Sequence, residues 1–301
     1  MDSRLKLISN SSVLSVHSCP RRYQLRKLWP EYLGDVSVDT VYGSMFHTGI
    51  QQFLSTGNLQ EAMLLAATEW RLELYEFKKE KSFWHCWNAI EQFAFLYPES
   101  PLADYEILIY NGKPAMELGF CISLPDGFYY RGYIDLVMQH KHTGSILVVD
   151  LKTSGMNHSN PAKYQNSSQN IAYSVVLDTV APGLQTFNVM YYEYLTYLNK
   201  FVAHDFVIDN LERATWIRDL LMECQIMQFY DNNSEWPKHG ESCVSYGRSC
   251  EFLDNCTMPT AALLGTHKQE DEALSIDSKA PYDIYITLEE IINSQINLIE
   301  E

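Results

Sequence analysis

The spacing of apolar residues in the first third of the chain follows a helical period. Apolar side chains recur every three or four positions in GSMFHTGIQQFL (residues 43–54), and this period is typical of amphipathic helices. An earlier helix is expected through CPRRYQLRKLW, with Asn10, Ser11 or Ser12 as its N-cap and Pro30 as its end. The front of the chain is therefore predicted to be helical.

From Glu106 onward the period changes to two, which predicts strands. Successive strands are expected in EILIY, AMELGFCISL, FYYRGYIDLVMQ and SILVVDLKT, with turns at NGK, PDG and KHTG. A helix at about 161–177, two Tyr-rich strands (NVMYYEYL and KFVAHDFVI) and a helix at about 209–230 follow. This order predicts an α/β (α+β) fold, in which a mixed central β-sheet is flanked by helices.

Composition indicates a globular protein, because 46% of the 301 residues are hydrophobic, 20% are charged and 13% are aromatic. No apolar run approaches the roughly 18 residues that span a bilayer, and the N-terminus lacks the apolar core of a signal peptide. We therefore expect an intracellular protein without a membrane partner. The chain has seven cysteines, and in a reducing compartment they indicate metal binding rather than a disulfide framework.

The net charge of −16 argues against a phosphate-rich partner only if it is spread evenly. Residues 269–301 hold nine acidic residues against one lysine, a net charge of −8, which leaves −8 for residues 1–268. Near the other end, Arg21 and Arg22 begin a compact basic cluster. We predict a main domain over 1–268 with a helical insertion at about 51–100, followed by an acidic C-terminal tail.

The segment GYIDLVMQHKHTGSILVVDLKTSG (residues 132–155) carries the strongest chemical pattern. Asp150 and Lys152 lie near the end of a buried strand and project from the same face, because strand side chains alternate. Asp135 lies on the preceding strand, one hairpin away. A structural ion pair at a strand end is one interpretation. The additional carboxylate of Asp135 favours the other, a metal site, because buried charges are costly unless they are paired or bound to metal.

Polar residues elsewhere in the chain extend this pattern. His47 lies on the helix that begins at Gly43, and Gln169 and Tyr173 lie four residues apart on a later helix, where they share a face. Each of these residues alone is typical of a hydrogen-bonded polar group at the edge of a hydrophobic core. Their order along the chain makes them informative as a set.

This ordered set resembles the motifs of RecB-type PD-(D/E)XK nucleases. The resemblance is carried by Gly43…His47, Gly132-Tyr-Ile-Asp135, Asp150-Leu-Lys152 and Gln169…Tyr173. Ile134 stands where the first element usually has proline, as is common in the RecB-type branch. The resemblance covers roughly residues 10–257 and implies a restriction-endonuclease-like nuclease core.

The resemblance also implies a divalent metal site. Asp135 and Asp150 would bind Mg²⁺ or Mn²⁺, assisted by His47 and the carbonyl of Leu151, since hard cations prefer oxygen ligands. Such an ion neutralises charge on the phosphate and activates water.

The remaining catalytic roles follow from the same resemblance. Lys152 would orient the attacking water and stabilise the charge that develops on the phosphorane. Gln169 and Tyr173 would position the DNA backbone. Glu117, on the strand before the hairpin, is a further metal or water partner, and Glu106 competes with it for this role.

The cysteines form a second candidate site. Cys243, Cys250 and Cys256 are separated by six and five residues, and Cys19 lies far upstream. Four thiolates suit a 4Fe–4S cluster or a structural zinc ion, and unliganded thiols are a third alternative. Zinc sites usually pair close cysteines in C-x2-C knuckles, and that spacing does not occur in this chain.

The cysteine arrangement resembles the iron–sulfur branch of these nucleases, which includes AddB-type and CRISPR adaptation nucleases. In that branch a 4Fe–4S cluster clasps the two ends of the nuclease domain, and here the segment 243–256 would supply three ligands. The branch often has C-x2-C-x5-C, so the spacing of six residues is a departure. Cys86, Cys121 and Cys224 lie in apolar contexts and are expected in the core.

The resemblance implies a metal-dependent DNA exonuclease that acts on single-stranded DNA or DNA ends in recombination, repair or related processing. A structure-dependent endonuclease is one alternative, and a catalytically inactive DNA-binding assembly protein on the same fold is another. The intact set of His47, Asp135, Asp150 and Lys152 argues against the inactive protein. Arg21 and Arg22 lie next to Cys19 and are expected to contact phosphate. The resemblance is also compatible with a helicase or recombination partner.

Overall fold

The computed structural model describes residues 1–29, 37–71, 79–184, 186–245, 248–259 and 282–297. The chain divides into two compact units. The first unit comprises Met1–Asp35, Gly119–Gly132 and Ala214–Glu301, and the second comprises Val36–Leu118 and Tyr133–Arg213.

Helices occupy the front of the chain and alternate with strands further along. The helices of the described residues are α1 (Ser3–Lys6), α2 (Asn10–Ser18), α3 (Pro20–Leu28), α4 (Val38–Thr56), α5 (Leu59–Ala67), α6 (Phe83–Leu96), α7 (Ala162–Gln165), α8 (Ser168–Val180), α9 (Asn210–Asn232) and α10 (Leu288–Asn297). The strands are β1 (Leu7–Ile8), β2 (Tyr105–Ile107), β3 (Ile109–Tyr110), β4 (Lys113–Pro114), β5 (Met116–Ser123), β6 (Tyr129–His140), β7 (Ile146–Ser154), β8 (Phe187–Leu195), β9 (Lys200–Ile208), β10 (Val244–Ser245), β11 (Arg248–Ser249) and β12 (Ile284–Thr287).

A mixed sheet forms the centre of the second unit. β7 pairs antiparallel with β6 and parallel with β8, and β8 pairs antiparallel with β9. β2 adds to β6 in the antiparallel direction. The residues of β7 from Ile146 to Leu151 are all buried, as expected for a strand that has neighbours on both edges and packing on both faces.

Helix α4 covers this sheet because its apolar residues fall on one face. Tyr42, Met45, Phe46 and Ile50 are buried and belong to the same core cluster as Leu151 of β7. Each buried side chain of this kind contributes about 1.5–3 kcal/mol relative to an exposed one. The packing holds the neighbouring polar residues of α4 beside the strand ends.

The first unit combines helices with short parallel strand pairs. β1 pairs in parallel with Tyr129 and Tyr130 of β6, and β12 pairs in parallel with the Phe120–Ser123 part of β5. Ile284 and Ile286 of β12 are buried. Part of the acidic C-terminal segment therefore contributes a strand and the helix α10 to this unit, and the rest of residues 269–301 lies outside the described residues.

The predicted fold class, a mixed sheet flanked by helices, is confirmed. Two local predictions differ from the structure. The helix expected from Asn10, Ser11 or Ser12 through CPRRYQLRKLW is divided at Cys19 into α2 and α3. Ser9 caps α2, because its hydroxyl accepts the Ser12 N–H at 3.3 Å. The helix expected at about 161–177 is divided into α7 and α8. None of the helices in the described part of the chain has the length and apolarity to cross a bilayer.

Two glycines of α4 predict opposite effects of the same substitution. Alanine stabilises a helix interior by about 1 kcal/mol relative to glycine. No described atom lies within 4 Å of a Cβ added at Gly43, but a Cβ at Gly49 would lie 2.5 Å from Cδ1 and 2.9 Å from Cγ1 of Ile90 on α6. We expect Gly43→Ala to raise the free energy of unfolding by about 0.5–1 kcal/mol and Gly49→Ala to lower it. Urea unfolding of the two variants tests this, and a rise in both would show that α4 and α6 are not in close contact.

Candidate active site

The end of β7 places a carboxylate and an ammonium side by side. Asp150 is 0% exposed, and its Oδ2 lies 2.5 Å from Nζ of Lys152, whose side chain is 32% exposed. The Oδ1 atom of Asp150 is buried and has no hydrogen-bond partner among the described residues. Because a buried carboxylate oxygen normally has a partner, this atom is available to a further ligand.

Asp135 of β6 lies next to this pair. Its Oδ2 accepts the backbone N–H of Leu151 at 2.9 Å and lies 3.5 Å from Nδ1 of His47. His47 projects from α4 towards these strands. The helix and the two strands therefore bring His47, Asp135 and the backbone of Leu151 together.

Glu117 of β5 completes a three-residue group. Its backbone has a φ of 46°, a left-handed conformation that costs about 1–3 kcal/mol in a non-glycine residue and is common at functional sites. Its Oε1 accepts a hydrogen bond from Nε2 of Gln51 at 2.7 Å. One ligand atom each of His47, Glu117 and Asp135 lies within 4.8 Å of the others, the only such metal-sized group of His, Cys, Asp or Glu in the described residues.

The electrostatics of the site favour a bound cation. Burial raises the pKa of Asp135 to about 6, opposed by Lys152 and assisted by Glu117. Burial likewise raises the pKa of Asp150 to about 6, although Lys152 opposes the shift. Burial and mutual repulsion destabilise the two ionised carboxylates, so a divalent cation between them would stabilise the site.

The two nitrogen bases are held in opposite states. Burial acts to lower the pKa of Lys152, but Asp150 and Asp135 outweigh it, and the net pKa is raised. Burial and then the Lys152 ammonium lower the pKa of His47. Lys152 is therefore a permanent cation near neutral pH, whereas His47 is neutral, the form in which imidazole binds metals.

The remaining predicted site residues lie on β2 and α8. Glu106 is exposed on β2, opposite Gln139 of β6, so the structure favours Glu117 in the choice between the two. Gln169 of α8 donates to the hydroxyl of Tyr173 at 2.5 Å. This hydrogen bond links the two residues, which are four positions apart on one face of α8.

Gln51 is a site residue that the sequence analysis missed. It is buried, and its amide donates to Glu117 Oε1 at 2.7 Å and to the carbonyl of Asp135 at 3.3 Å. Its position four residues after His47, on the same face of a helix, was a signal that could have found it.

The four predicted cluster cysteines meet in the first unit. Cys19, Cys243, Cys250 and Cys256 line one pocket, together with Lys238 and His239. Cys19 is the N-cap residue of α3. Cys250 is held by its backbone N–H, which donates to the carbonyl of Cys243 at 2.7 Å. The other cysteines, Cys86, Cys121 and Cys224, are buried.

The structure corrects the expected roles of Arg21 and Arg22. Arg21 is 5% exposed, and its guanidinium donates to the carbonyls of Cys256 and Met258 at 3.3 and 2.5 Å. Arg22 pairs with Glu251 at 2.9 Å. Burial opposes ionisation of Glu251, but the hydrogen bonds from Arg22 and Arg26 lower its pKa to about 2. Both arginines hold the cysteine segment against α3 instead of presenting their charge to phosphate.

Comparison with known proteins gives a family and distant structural likenesses. One is a candidate exonuclease from Eubacterium rectale, with 10% identity, a TM-score of 0.49, and coverage of 80% of this chain and 87% of that one. Another is the protein SSO0001, with 14% identity, a TM-score of 0.39, and coverage of 84% and 87%. At these scores the likenesses carry no argument about activity. A comparison with curated protein sequences finds no match.

The family assignment comes from the sequence itself. The PD-(D/E)XK nuclease superfamily matches residues 7–257, a span that includes every residue of the metal-sized group and all four cysteines of the pocket. The chain belongs to the PD-(D/E)XK nuclease superfamily.

Proposed function

We propose that the protein is a metal-dependent DNA exonuclease that hydrolyses phosphodiester bonds in single-stranded DNA or at DNA ends. The observation that carries the proposal is the group of His47, Glu117 and Asp135, with ligand atoms within 4.8 Å of one another, beside the Asp150–Lys152 pair. The preference for ends and single strands rests on the resemblance of the motifs to RecB-type nucleases.

The residues fit a divalent cation. Carboxylate oxygens and one neutral imidazole are suitable ligands for Mn²⁺ and, with more waters, for Mg²⁺. The unpartnered Oδ1 of Asp150 supplies a further oxygen next to Asp135. When bound, such an ion would neutralise charge on the scissile phosphate and increase the acidity of a coordinated water.

The chain's own residues prepare this site. Lys152 keeps its proton because nearby carboxylates raise its pKa, so it acts as a hydrogen-bond donor and a positive charge, not as a general base. Its partly exposed ammonium can orient water and stabilise a phosphate oxygen that gains charge. Gln51 fixes the carboxylate of Glu117, and the Leu151 N–H fixes that of Asp135.

The first prediction concerns catalysis. Asp150→Ala and Lys152→Ala should each lower the cleavage rate by at least about two orders of magnitude, the scale found for preorganised charged groups, while DNA binding persists. The measurement is Mn²⁺-dependent digestion of linear and circular single-stranded DNA of the same sequence. Digestion of the linear form alone supports an exonuclease, and digestion of the circle would show an endonuclease.

The controls for this assay separate catalysis from folding. Asp104 is an exposed aspartate outside the site, so Asp104→Asn should cleave like the wild type. If both Asp150→Ala and Lys152→Ala cleave DNA at near wild-type rates, the proposed active site is wrong. Binding without cleavage by the wild type, with every metal tested, would favour the inactive DNA-binding protein instead.

The second prediction concerns the stability of the metal-free protein. The pKa of Asp135 rises from 3.8 to about 6 on folding, so its ionisation opposes folding, and stability is lost as pH rises from about 4 through 6. In a chelator at pH 8, Asp135→Asn should raise the free energy of unfolding by about 1–3 kcal/mol. The gain should shrink as pH approaches 4. Urea unfolding at both pH values measures it, with Asp104→Asn as the matched control, and a destabilised Asp135→Asn at pH 8 would contradict the charge repulsion.

We also propose that the four-cysteine pocket binds a 4Fe–4S cluster, a site that suits an intracellular protein. A tetrahedral zinc ion with Zn–S bonds of about 2.3 Å brings its four sulfurs to about 3.8 Å from one another. No three of these cysteine sulfurs, all in described residues, lie within 4.8 Å of one another. Together with the lack of C-x2-C pairs in this chain, this favours a cluster of several irons over a single zinc ion. Bound in this way, the cluster would join α3 to the 243–256 segment.

The third prediction tests this cluster. Anaerobically purified protein should be brown, with broad absorption near about 400 nm, as thiolate-bound iron is. Cys19→Ala should lose iron and thermal stability together, because Cys19 is the ligand from the other end of the chain. Cys224→Ala, which changes a buried cysteine outside the pocket, should keep its iron. A colourless protein that contains stoichiometric zinc would contradict the iron–sulfur assignment and indicate a zinc site.

A further inference from the structure

The sheet face that carries Asp150 and Lys152 continues onto β8 and β9 with more polar residues. Asp150 lies opposite Tyr191, and Lys152 lies opposite Glu193. Tyr191 in turn lies opposite His204 of β9. Residues in register on adjacent strands share a face and lie about 5 Å apart, so Glu193 is a direct neighbour of Lys152.

Glu193 is a buried carboxylate with two hydroxyl donors. It is 2% exposed, its Oε1 accepts the hydroxyl of Tyr164 at 2.6 Å, and its Oε2 accepts the hydroxyl of Ser159. The Ser159 oxygen also lies 2.5 Å from Nε2 of His204. Burying a carboxylate is costly, and an apolar side chain would stabilise the fold as well or better. The network therefore calls for a role beyond packing.

The contacts of Tyr164 connect this carboxylate to Lys152. The ring of Tyr164 stacks on that of Tyr191, with centroids 4.1 Å apart and an angle of 24° between the planes. The Nζ atom of Lys152 lies over the ring of Tyr191, 5.9 Å from its centroid. Glu193 thus fixes Tyr164, Tyr164 fixes Tyr191, and the Tyr191 ring limits where the ammonium can move.

The same carboxylate anchors the loop that follows β7. Residues 155–158 are exposed and connect the strand of Lys152 to α7 and α8. The two hydroxyl donors of Glu193, from Ser159 and Tyr164, lie on the far side of this exposed stretch. One buried group therefore holds both the aromatic support beneath Lys152 and the segment that leaves the active-site strand.

We propose that Glu193 is a positioning residue for Lys152. It acts through Tyr164 and Tyr191 to hold the ammonium against Asp150 in the orientation that the reaction needs. This inference rests on the proposed nuclease function, because Lys152 needs a fixed orientation only if it contacts a reacting phosphate. A misplacement of about 1 Å at such a group costs up to about 100-fold in rate.

The test compares steady-state cleavage by Glu193→Gln with that of the wild type, on linear single-stranded DNA with Mn²⁺. Glutamine keeps the size of the side chain but has one acceptor oxygen instead of two, and its amide nitrogen can only donate. We expect kcat to fall by about 10- to 100-fold, with KM and Mn²⁺ affinity close to wild type. Glu91→Gln, which makes the same change at an exposed residue of α6, should leave kcat unchanged.

A second variant keeps the inference testable if Glu193→Gln does not fold. Tyr164→Phe removes the hydroxyl but keeps the ring that stacks on Tyr191, and it should also lower kcat without raising KM. Because the two residues act along one path, the double variant should be no slower than Glu193→Gln alone.

The possible results separate the two proposals. If the wild type cleaves and both variants keep its kcat, or change only KM, the positioning role is wrong and the proposed function stands. If additive losses occur in the double variant, Glu193 does not act through Tyr164. If the wild type cleaves no DNA with any divalent metal, the proposed function is wrong, and the positioning role falls with it.

Discussion

The structure depends on a concentration of buried negative charge that the fold alone does not neutralise. Asp150 is fully buried, the buried Asp135 lies beside it, and the exposed Glu117 adds a third carboxylate at their edge. Lys152 is paired with Asp150 and offsets part of this charge. Burying carboxylates next to one another costs free energy in the absence of a cation. A metal site best explains why the strands and helix α4 bring these groups together and why the backbone at Glu117 is strained.

The two units meet different physical demands. In the second unit a fully buried strand, β7, fixes the directions of Asp150 and Lys152, and helix α4 supplies His47 and Gln51. In the first unit the chain's early helix and its late cysteine segment are held together by Arg21 and by the Arg22–Glu251 pair. These contacts bring four cysteines to one pocket, although more than 200 residues separate Cys19 from the other three.

The sequence predicted features that depend on local periodicity or on ordered motifs. The change from a helical to a strand period identified the mixed sheet, and the spacing of Asp150 and Lys152 placed both on one face. The sequence favoured Glu117 over Glu106 only modestly, because the choice depends on a left-handed backbone at Glu117 and on a hydrogen bond from Gln51. The sequence also did not predict the hydrogen bonds of Arg21, because the carbonyls that accept them lie near the other end of the chain.

The central claim is that Asp135 and its neighbours form a site for a divalent cation. Its most direct test is an electron paramagnetic resonance titration of the wild-type protein with Mn²⁺ at several pH values, compared with Asp135→Asn. Since Asp135 and Asp150 each have a pKa raised by burial to about 6, protons should displace the metal as pH is lowered through that value. The account predicts Mn²⁺ binding at pH 8 that weakens steeply below pH 6 and is lost in the variant. Binding that is indifferent both to pH and to the loss of Asp135 would contradict it.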